Sequence, residues 1–447
     1  MSADDLFIHA HLPGGFVPAG KLEIVQQGNA TASTFAYGIK YAKRPHAFGI
    51  DPVSLSLKQS GADSGQTLRP YNNLSLFGGV RDAAPDGWGR RVIEAKLKVP
   101  PNSLSEAQYL LGAGSNRVGA LDVRLAVDSA ETAGSASEKN LQYLLDAAER
   151  IENGQPIPSS LESLFEAGSN MGGARPKATV RDQNGLLWLA KFPEKRDTWD
   201  VARVEWLTLE LARRCGLTVP AVRVQDVGGR PVMLIRRFDR YWSLPGQLPR
   251  QDTVIFETLP GPGLEENRLP FISGLTLIGC DEIESPTKAY VDLAQAIRSH
   301  GYPLTIRRDT EELFGRMIFN IFVSNDDDHL RNHGFMWDPR VKGWQLSPLY
   351  DVVPRPGVAF ERYLHLNVGQ KGKAATLDNA MTAFSAFTPT RPAALDIIRK
   401  IWIQLRVWKT TLANLGAEEP FLEAMAPAIR DIDQIASPEL QKEVRRE

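Results

Sequence analysis

The sequence predicts an α+β protein with a strand-rich N-terminal part, a mixed middle lobe and a mostly helical C-terminal lobe. Three observations carry that expectation. β-prone runs punctuated by Pro, Gly and Asn fill residues 1 to about 125, a strand–strand–helix–strand–strand pattern occupies the middle third, and helical periodicity dominates the remainder. A chain of 447 residues suggests two or three domains at about 150 residues each. The boundaries expected are 1–125 for the strand-rich domain, 126–239 for the mixed lobe and 240–447 for the helical lobe.

Composition excludes several classes. Lys+Arg total 52 against 53 Asp+Glu, so a net charge of −1 argues against a chain-wide phosphate-neutralising surface, although Arg445-Arg446 could contribute locally. Two cysteines, Cys215 and Cys280, rule out a disulfide framework and a four-thiolate zinc site, which favours a reducing cytoplasm. The N-terminus has no apolar core of signal-peptide length, and no run approaches 18 apolar residues. No membrane association is expected.

Each element has a local reason. Lys21-Leu-Glu-Ile-Val and Ser33-Thr-Phe-Ala-Tyr-Gly-Ile read as strands, and a helix follows Asp86-Gly-Trp-Gly. Residues 126–139 are small and polar, as a linker would be, before helical periodicity returns at Asn140. The turn Asp182-Gln-Asn-Gly joins strands at 178–180 and 186–191 into a hairpin. A helix over 200–214 starts at a capping Asp200 and stops at Gly216, and strands follow at 221–224 and 231–235. Helices are expected over 287–300, 310–323, 391–414 and 437–446.

Chemistry concentrates in Ser324-Asn-Asp-Asp-Asp-His-Leu-Arg-Asn-His-Gly-Phe335, between an apolar helix and a β-prone run. Three adjacent carboxylates are costly to bury without cations or donors. Asp327 and Asn332 have the Asp-x-x-x-x-Asn spacing of a protein-kinase catalytic loop, in which Asp accepts a hydroxyl proton and Asn holds Mg²⁺. Asp351 follows a probable hairpin turning near Pro339, where a second metal-binding Asp belongs, although Val352 replaces the usual Phe. Upstream, Lys191 ends an apolar strand as a phosphate-reaching lysine would, Glu205 lies on the next helix to pair with it, and a Gly-rich loop at 168–177 precedes both. The order of loop, lysine, glutamate, Asp, Asn and Asp predicts a two-lobed protein-kinase-like fold.

Gly173-Ala-Arg-Pro-Lys177, Asn325-Asp-Asp-Asp-His-Leu-Arg-Asn332 and Leu349-Tyr-Asp351 together resemble the HipA family. Phe77-Gly-Gly-Val-Arg-Asp-Ala-Ala-Pro-Asp-Gly-Trp-Gly-Arg90 is similar to the signature of that family's N-terminal domain. The resemblance implies a serine/threonine kinase toxin of a bacterial toxin–antitoxin module, using ATP and Mg²⁺. By position it implies an ATP loop at Gly172, Gly173, Ala174, Arg175, Pro176 and Lys177, an ATP lysine at Lys191 and a hinge at Arg236, Arg237 and Phe238. It places the proton acceptor on Asp327 and nucleotide or metal contacts on His329, Leu330, Arg331, Asn332, Tyr350 and Asp351, with Asn332 and Asp351 as metal ligands. It also implies a protein substrate such as an aminoacyl-tRNA synthetase, a helix-turn-helix antitoxin, and operator DNA reached through that complex. The loop serine that many members autophosphorylate has its place taken by Asn170, which leaves Ser169 as the candidate acceptor.

Two other readings remain open from the residues. A metal-dependent phosphohydrolase would use Asp326–Asp328 with Asp351 and would need neither Lys191 nor the Gly-rich loop. A non-catalytic pseudokinase serving as a repressor component would bind ATP without turnover.

Overall fold

The N-terminal chain alternates in hydrophobicity with period two, so Leu6, Ile8, Ala10 and Leu12 of Ser2–Leu12 (β1) share one buried face. Gly15–Gln27 (β2) returns antiparallel and Ala30–Tyr37 (β3) continues the meander. Gly20 stands opposite Ile8, where a Cβ would collide with the Phe35 ring and the Ala36 carbonyl. Leu121–Arg124 (β4) completes the sheet in the order β3-β2-β1-β4. This computed structural model describes residues 2–28, 30–58, 65–132, 136–155, 173–357 and 359–446.

The second sheet contains Ala136–Ser137 (β5), Lys177–Arg181 (β6), Leu187–Lys191 (β7), Val222–Val227 (β8) and Arg230–Arg236 (β9), in the order β5-β6-β7-β9-β8. The expected hairpin forms between β6 and β7, with Asp182 Oδ1 accepting from the backbone N–H groups of Asn184 and Leu186. The polar stretch 126–139 is more than a linker, because Ala136 and Ser137 pair with Val180 and Arg181 at the sheet edge. Helix Leu141–Glu152 lays Leu141, Leu144, Leu145 and Ala148 against Val180, Trp188, Val232 and Leu234. Further strands are Arg240–Ser243 (β10), Glu265–Arg268 (β11), Phe271–Ser273 (β12), Gly334–Asp338 (β13) and Gly343–Leu346 (β14). β10 pairs with β11 and β12 neighbours β13.

Two compact units result. One comprises residues 1–199, 223–279 and 335–343; the other comprises 200–222, 280–334 and 344–447. The second is helical. Its central helix, Ile306–Val323, is buried on all sides from Leu313 to Val323, as its apolar composition requires. Gly315 allows Leu217 to come within 3.0 Å of where a Cβ would stand. Helix Val201–Arg214 begins as expected, with the Asp200 carboxylate accepting from the Arg203 backbone N–H at 2.9 Å. The helix expected over 391–414 is two helices, Arg391–Leu405 and Trp408–Ala413. The first buries a stripe of Ala394, Ile398, Ile401 and Leu405, and the second buries Leu412. Among the described residues no helix is long and apolar enough to cross a membrane.

In the first unit, a buried ion cluster ties the loop before β4 to the end of β9. Asp239 accepts from Arg237 Nε at 2.7 Å, Arg240 at 2.8 Å and the Gly119 backbone N–H at 2.7 Å. Arg237 also donates to the Arg117 carbonyl at 3.0 Å. Burial alone would raise the Asp239 carboxyl, but the two guanidinium groups override it and hold Asp239 well below the usual carboxylate range. Removing this charge while leaving both arginines buried should be costly. Asp239→Asn is expected to lose about 3–5 kcal/mol of stability at pH 7. An unfolded carboxylate titrates near pH 4, so below about that pH the unfolded chain takes up a proton that folded Asp239 does not. The difference between wild type and variant should therefore narrow as pH falls below that value, as urea unfolding at stepped pH would show.

Candidate functional site

In the second unit the candidate residues follow the end of helix Ile306–Val323. The helix stops at Ser324, a non-glycine residue in the left-handed region at φ +52°, whose Oγ donates to the Ala428 carbonyl at 2.7 Å. The next peptide is tied back, with the Asn325 N–H donating to the Asn320 carbonyl and its side-chain amide to Asn320 Oδ1, both at 3.1 Å. Asn320 therefore governs the loop from within an otherwise apolar run, Met317-Ile-Phe-Asn-Ile-Phe-Val323.

The three adjacent aspartates separate. Asp328 turns inward and is buried, accepting from the Asn320 amide at 2.6 Å, from His333 Nε2 at 3.2 Å and from the Tyr290 hydroxyl. Burial would raise the Asp328 carboxyl, yet His333 and these hydrogen bonds bring it below its ordinary value. Burial and the adjacent Asp328 charge drive the Tyr290 phenol well above its own ordinary value. Asp326 and Asp327 turn outward, where Arg355 Nε lies 3.0 Å from Asp326 and an Arg355 terminal nitrogen lies 3.2 Å from Asp327. The Asp327 side chain is 57% exposed. This separation weakens the phosphohydrolase reading, because Asp328 is consumed by the core and does not converge with its neighbours on a metal.

Leu330–Asn332 forms one turn of 3₁₀ helix, and the Asn332 side-chain N–H₂ donates to the Asp327 carbonyl at 3.0 Å. That bond leaves the amide oxygen as Asn332's remaining donor atom for a metal. Arg331 reaches Glu282, and its carbonyl accepts from the Tyr350 hydroxyl at 2.7 Å. The structure thus links Tyr350 directly to the 327–332 loop. Among the described residues, none gives the buried His329 Nδ1 a hydrogen-bond partner.

Asp351 stands at φ +59°, a conformation that Asp tolerates better than most residues. Its approach is held by a chain of contacts. Buried Arg316 donates to Glu312 at 2.7 Å and to the Ser347 carbonyl at 2.5 Å, Glu312 accepts from the Thr218 hydroxyl, and the Thr218 carbonyl accepts from the Leu349 N–H at 2.8 Å. Glu205 is buried on Val201–Arg214 in this same unit.

In the first unit, Gly173 occupies φ +97°, and a Cβ there would collide with the Lys177 ammonium. Lys177 and Lys191 are directly opposite in the β6–β7 ladder and so project from the same face. Pro176 accepts from the Phe192 N–H at 2.9 Å, Arg175 pairs with Asp197, and Ala174 lies beside Gly87. Arg236 donates to the Thr258 carbonyl at 2.5 Å, Arg237 is buried against Asp239, and Phe238 stacks at a tilt on Phe271. Gly172 and Ser169 lie outside the described residues.

The donor chemistry suits Mg²⁺. Among the described residues, no group of three or more His, Cys, Asp and Glu is gathered to hold a metal. Mg²⁺ needs no such group, since it commonly takes one or two protein carboxylates and completes its shell with phosphate and water. The Asn332 amide oxygen and the Asp351 carboxylate are hard donors of that kind.

A family model, the HipA-like C-terminal domain, matches residues 169–408. The kinase-named protein Y4mE of Sinorhizobium fredii is 28% identical over 216 residues, covering 47% of this chain but only 44% of Y4mE. The kinase-named protein Y4dM of the same organism is 24% identical over 418 residues, covering 89% of this chain and 90% of Y4dM. Among solved structures, the Shewanella oneidensis complex of toxin–antitoxin proteins HipA and HipB with operator DNA matches with a TM-score of 0.63 at 15% identity. That match covers 98% of this chain and 96% of the other. At that identity the likeness is one of fold, and it agrees with the kinase-like α+β architecture read from the residues.

The inward carboxylate should be a stability determinant as well as a loop anchor. Asp328→Ala strands three buried donors and is expected to cost about 3–5 kcal/mol in urea unfolding. Asp328→Asn, which keeps one acceptor oxygen, should cost measurably less.

Proposed function

Since the chain belongs to the HipA family, we propose that it is an ATP- and Mg²⁺-dependent serine/threonine protein kinase acting as the toxin of a bacterial toxin–antitoxin module. One observation carries the reading. Within six residues, the 327–332 loop turns the Asp327 carboxylate outward and engages the Asn332 amide nitrogen on the Asp327 carbonyl. A proton acceptor and a hard-metal donor are thereby set at fixed spacing on one rigid turn.

In this reading the Asp327 carboxylate accepts the proton of a substrate Ser or Thr hydroxyl as its oxygen attacks the γ-phosphorus and ADP departs. Asn332 and Asp351 hold Mg²⁺, which supplies charge neutralisation on the phosphates. Lys177, Lys191 and the loop at 172–177 bind the phosphates. Arg236–Phe238, His329–Asn332 and Tyr350 contribute the remaining nucleotide contacts. Arg355 must release or share Asp327 when the hydroxyl arrives, because both claim the same outward carboxylate. Ser169 is the candidate autophosphorylation acceptor.

The partners follow from the same family reading. The substrate is a protein, with an aminoacyl-tRNA synthetase as the expected class. A helix-turn-helix antitoxin is the expected binding partner, and operator DNA is met mainly through that complex. The fold likeness to HipA in its complex with HipB and operator DNA supports this assignment, as does a net charge too small for unaided DNA binding. A cytoplasmic setting suits Cys215 and Cys280, both buried thiols.

The test uses purified protein with Mg²⁺ and γ-labelled ATP in a cell lysate. Wild type should label a discrete protein band, and Asp327→Asn should reduce the initial rate by about 10²–10⁴-fold. Free phosphate without a labelled band would replace this reading with a hydrolase.

A further inference from the structure

The Gly87–Leu97 helix belongs to the strand-rich N-terminal segment, well away in sequence from every residue assigned to the nucleotide. Its first turn nevertheless touches the described end of the Gly-rich loop at three places. The Trp88 backbone N–H donates to the Gly173 carbonyl at 3.0 Å. The Trp88 indole Nε1–H donates to the Lys177 carbonyl at 2.9 Å. The Arg91 guanidinium donates to the Ala174 carbonyl at 2.6 Å and lies 5.0 Å from the centre of the Trp88 ring. Gly87 completes the seat, since a Cβ there would stand 3.4 Å from Ala174 Cα.

Local physics explains the contact. The first N–H groups of a helix have no partner within it, and Asp86 makes no side-chain cap here. The Gly173 carbonyl caps the helix instead. Trp88 is 2% exposed, so its indole N–H also needs an acceptor, and the Lys177 carbonyl provides it.

The consequence lies in peptide geometry. Each carbonyl in a trans peptide points opposite to the N–H of the residue that follows. Holding the Gly173 and Ala174 carbonyls on the helix turns the Ala174 and Arg175 N–H groups to the other side of the strip. Successive amides aimed the same way form the kind of nest that binds phosphate oxygens. The Lys177 ammonium sits beside Gly173, within the same strip.

We infer that Trp88 and Arg91 are positioning residues for the nucleotide, setting phosphate affinity from the N-terminal segment by fixing the peptide planes of Gly173–Lys177. The inference rests on the nucleotide-binding reading of that loop. It assigns Trp88 and Arg91 no contact with ATP and no part in proton transfer.

Trp88→Phe keeps an aromatic ring at the buried site while deleting the indole donor together with the second ring, and Arg91→Ala removes an exposed side chain at the edge of the Trp88 ring. Each should weaken MgATP binding roughly three- to tenfold by titration calorimetry, with the melting temperature of Arg91→Ala unchanged. Label transfer to the protein substrate should fall at low ATP and return to within about twofold of wild type at saturating ATP. Arg91→Lys should recover part of the affinity, since it restores a donor without the planar fork. Wild-type MgATP affinity in a folded Arg91→Ala protein, or a loss of rate that saturating ATP does not restore, would overturn the inference. A wild-type protein that binds no MgATP would instead remove the nucleotide reading itself, and this proposal with it.

Discussion

A carboxylate taken out of water must be given hydrogen bonds or it will not stay charged, and Asp328 is where that demand organises the second unit. Its oxygens are met by Asn320 from the central helix, Tyr290 from the neighbouring helix and His333 from the start of the next strand. Two elements that flank the loop and one 38 residues upstream are thereby pinned to one residue. Because Asp328 is committed inward, the residue before it must face out, and Asp327 acquires its exposure by geometry. The Asn332 bond to the Asp327 carbonyl closes the same turn.

The first unit meets a comparable demand with opposite emphasis. There Asp239 serves the buried guanidinium groups of Arg237 and Arg240 while accepting from the Gly119 N–H. That arrangement joins the end of β9 to the chain leading into β4, so the N-terminal segment is integral to the sheet bearing Lys191. The seating of Gly173–Lys177 on Trp88 and Arg91 extends the same integration to the phosphate loop. A helix that could be taken for an appendage supplies donors that the loop's carbonyls would otherwise lack.

Residues that sequence reasoning passed over share a trait. Asn320, Tyr290, Arg316 and Trp88 are all buried polar or aromatic groups with a partner outside their own helix. Asn320 had a signal, as a lone amide within Met317–Val323. Arg316 had a similar one, a charge inside a helix otherwise fit for the core. Tyr290 had none, since a tyrosine on an amphipathic helix is ordinarily packing, and Trp88 stood within the Phe77–Arg90 signature with no role read for it. Arg355 was equally silent, its pairing with Asp326 and Asp327 depending on how the chain after Asp351 folds back.

The order of the chemical residues is a property of the chain itself. The Asp327–Asn332 interval, Asp351 after a short hairpin and Lys191 at a strand end could be read without coordinates, because spacing along a turn or strand is set by covalent geometry. Element types were legible for the same reason, since period-two and helical patterns report local backbone shape. Direction was not. Which of three identical carboxylates points inward, where a helix of good periodicity must break, and which loop carbonyls are already occupied all depend on partners brought together by folding. A side chain's orientation follows from the groups that satisfy it, and these range from His333, five residues from Asp328, to the Lys177 carbonyl, 89 residues from Trp88.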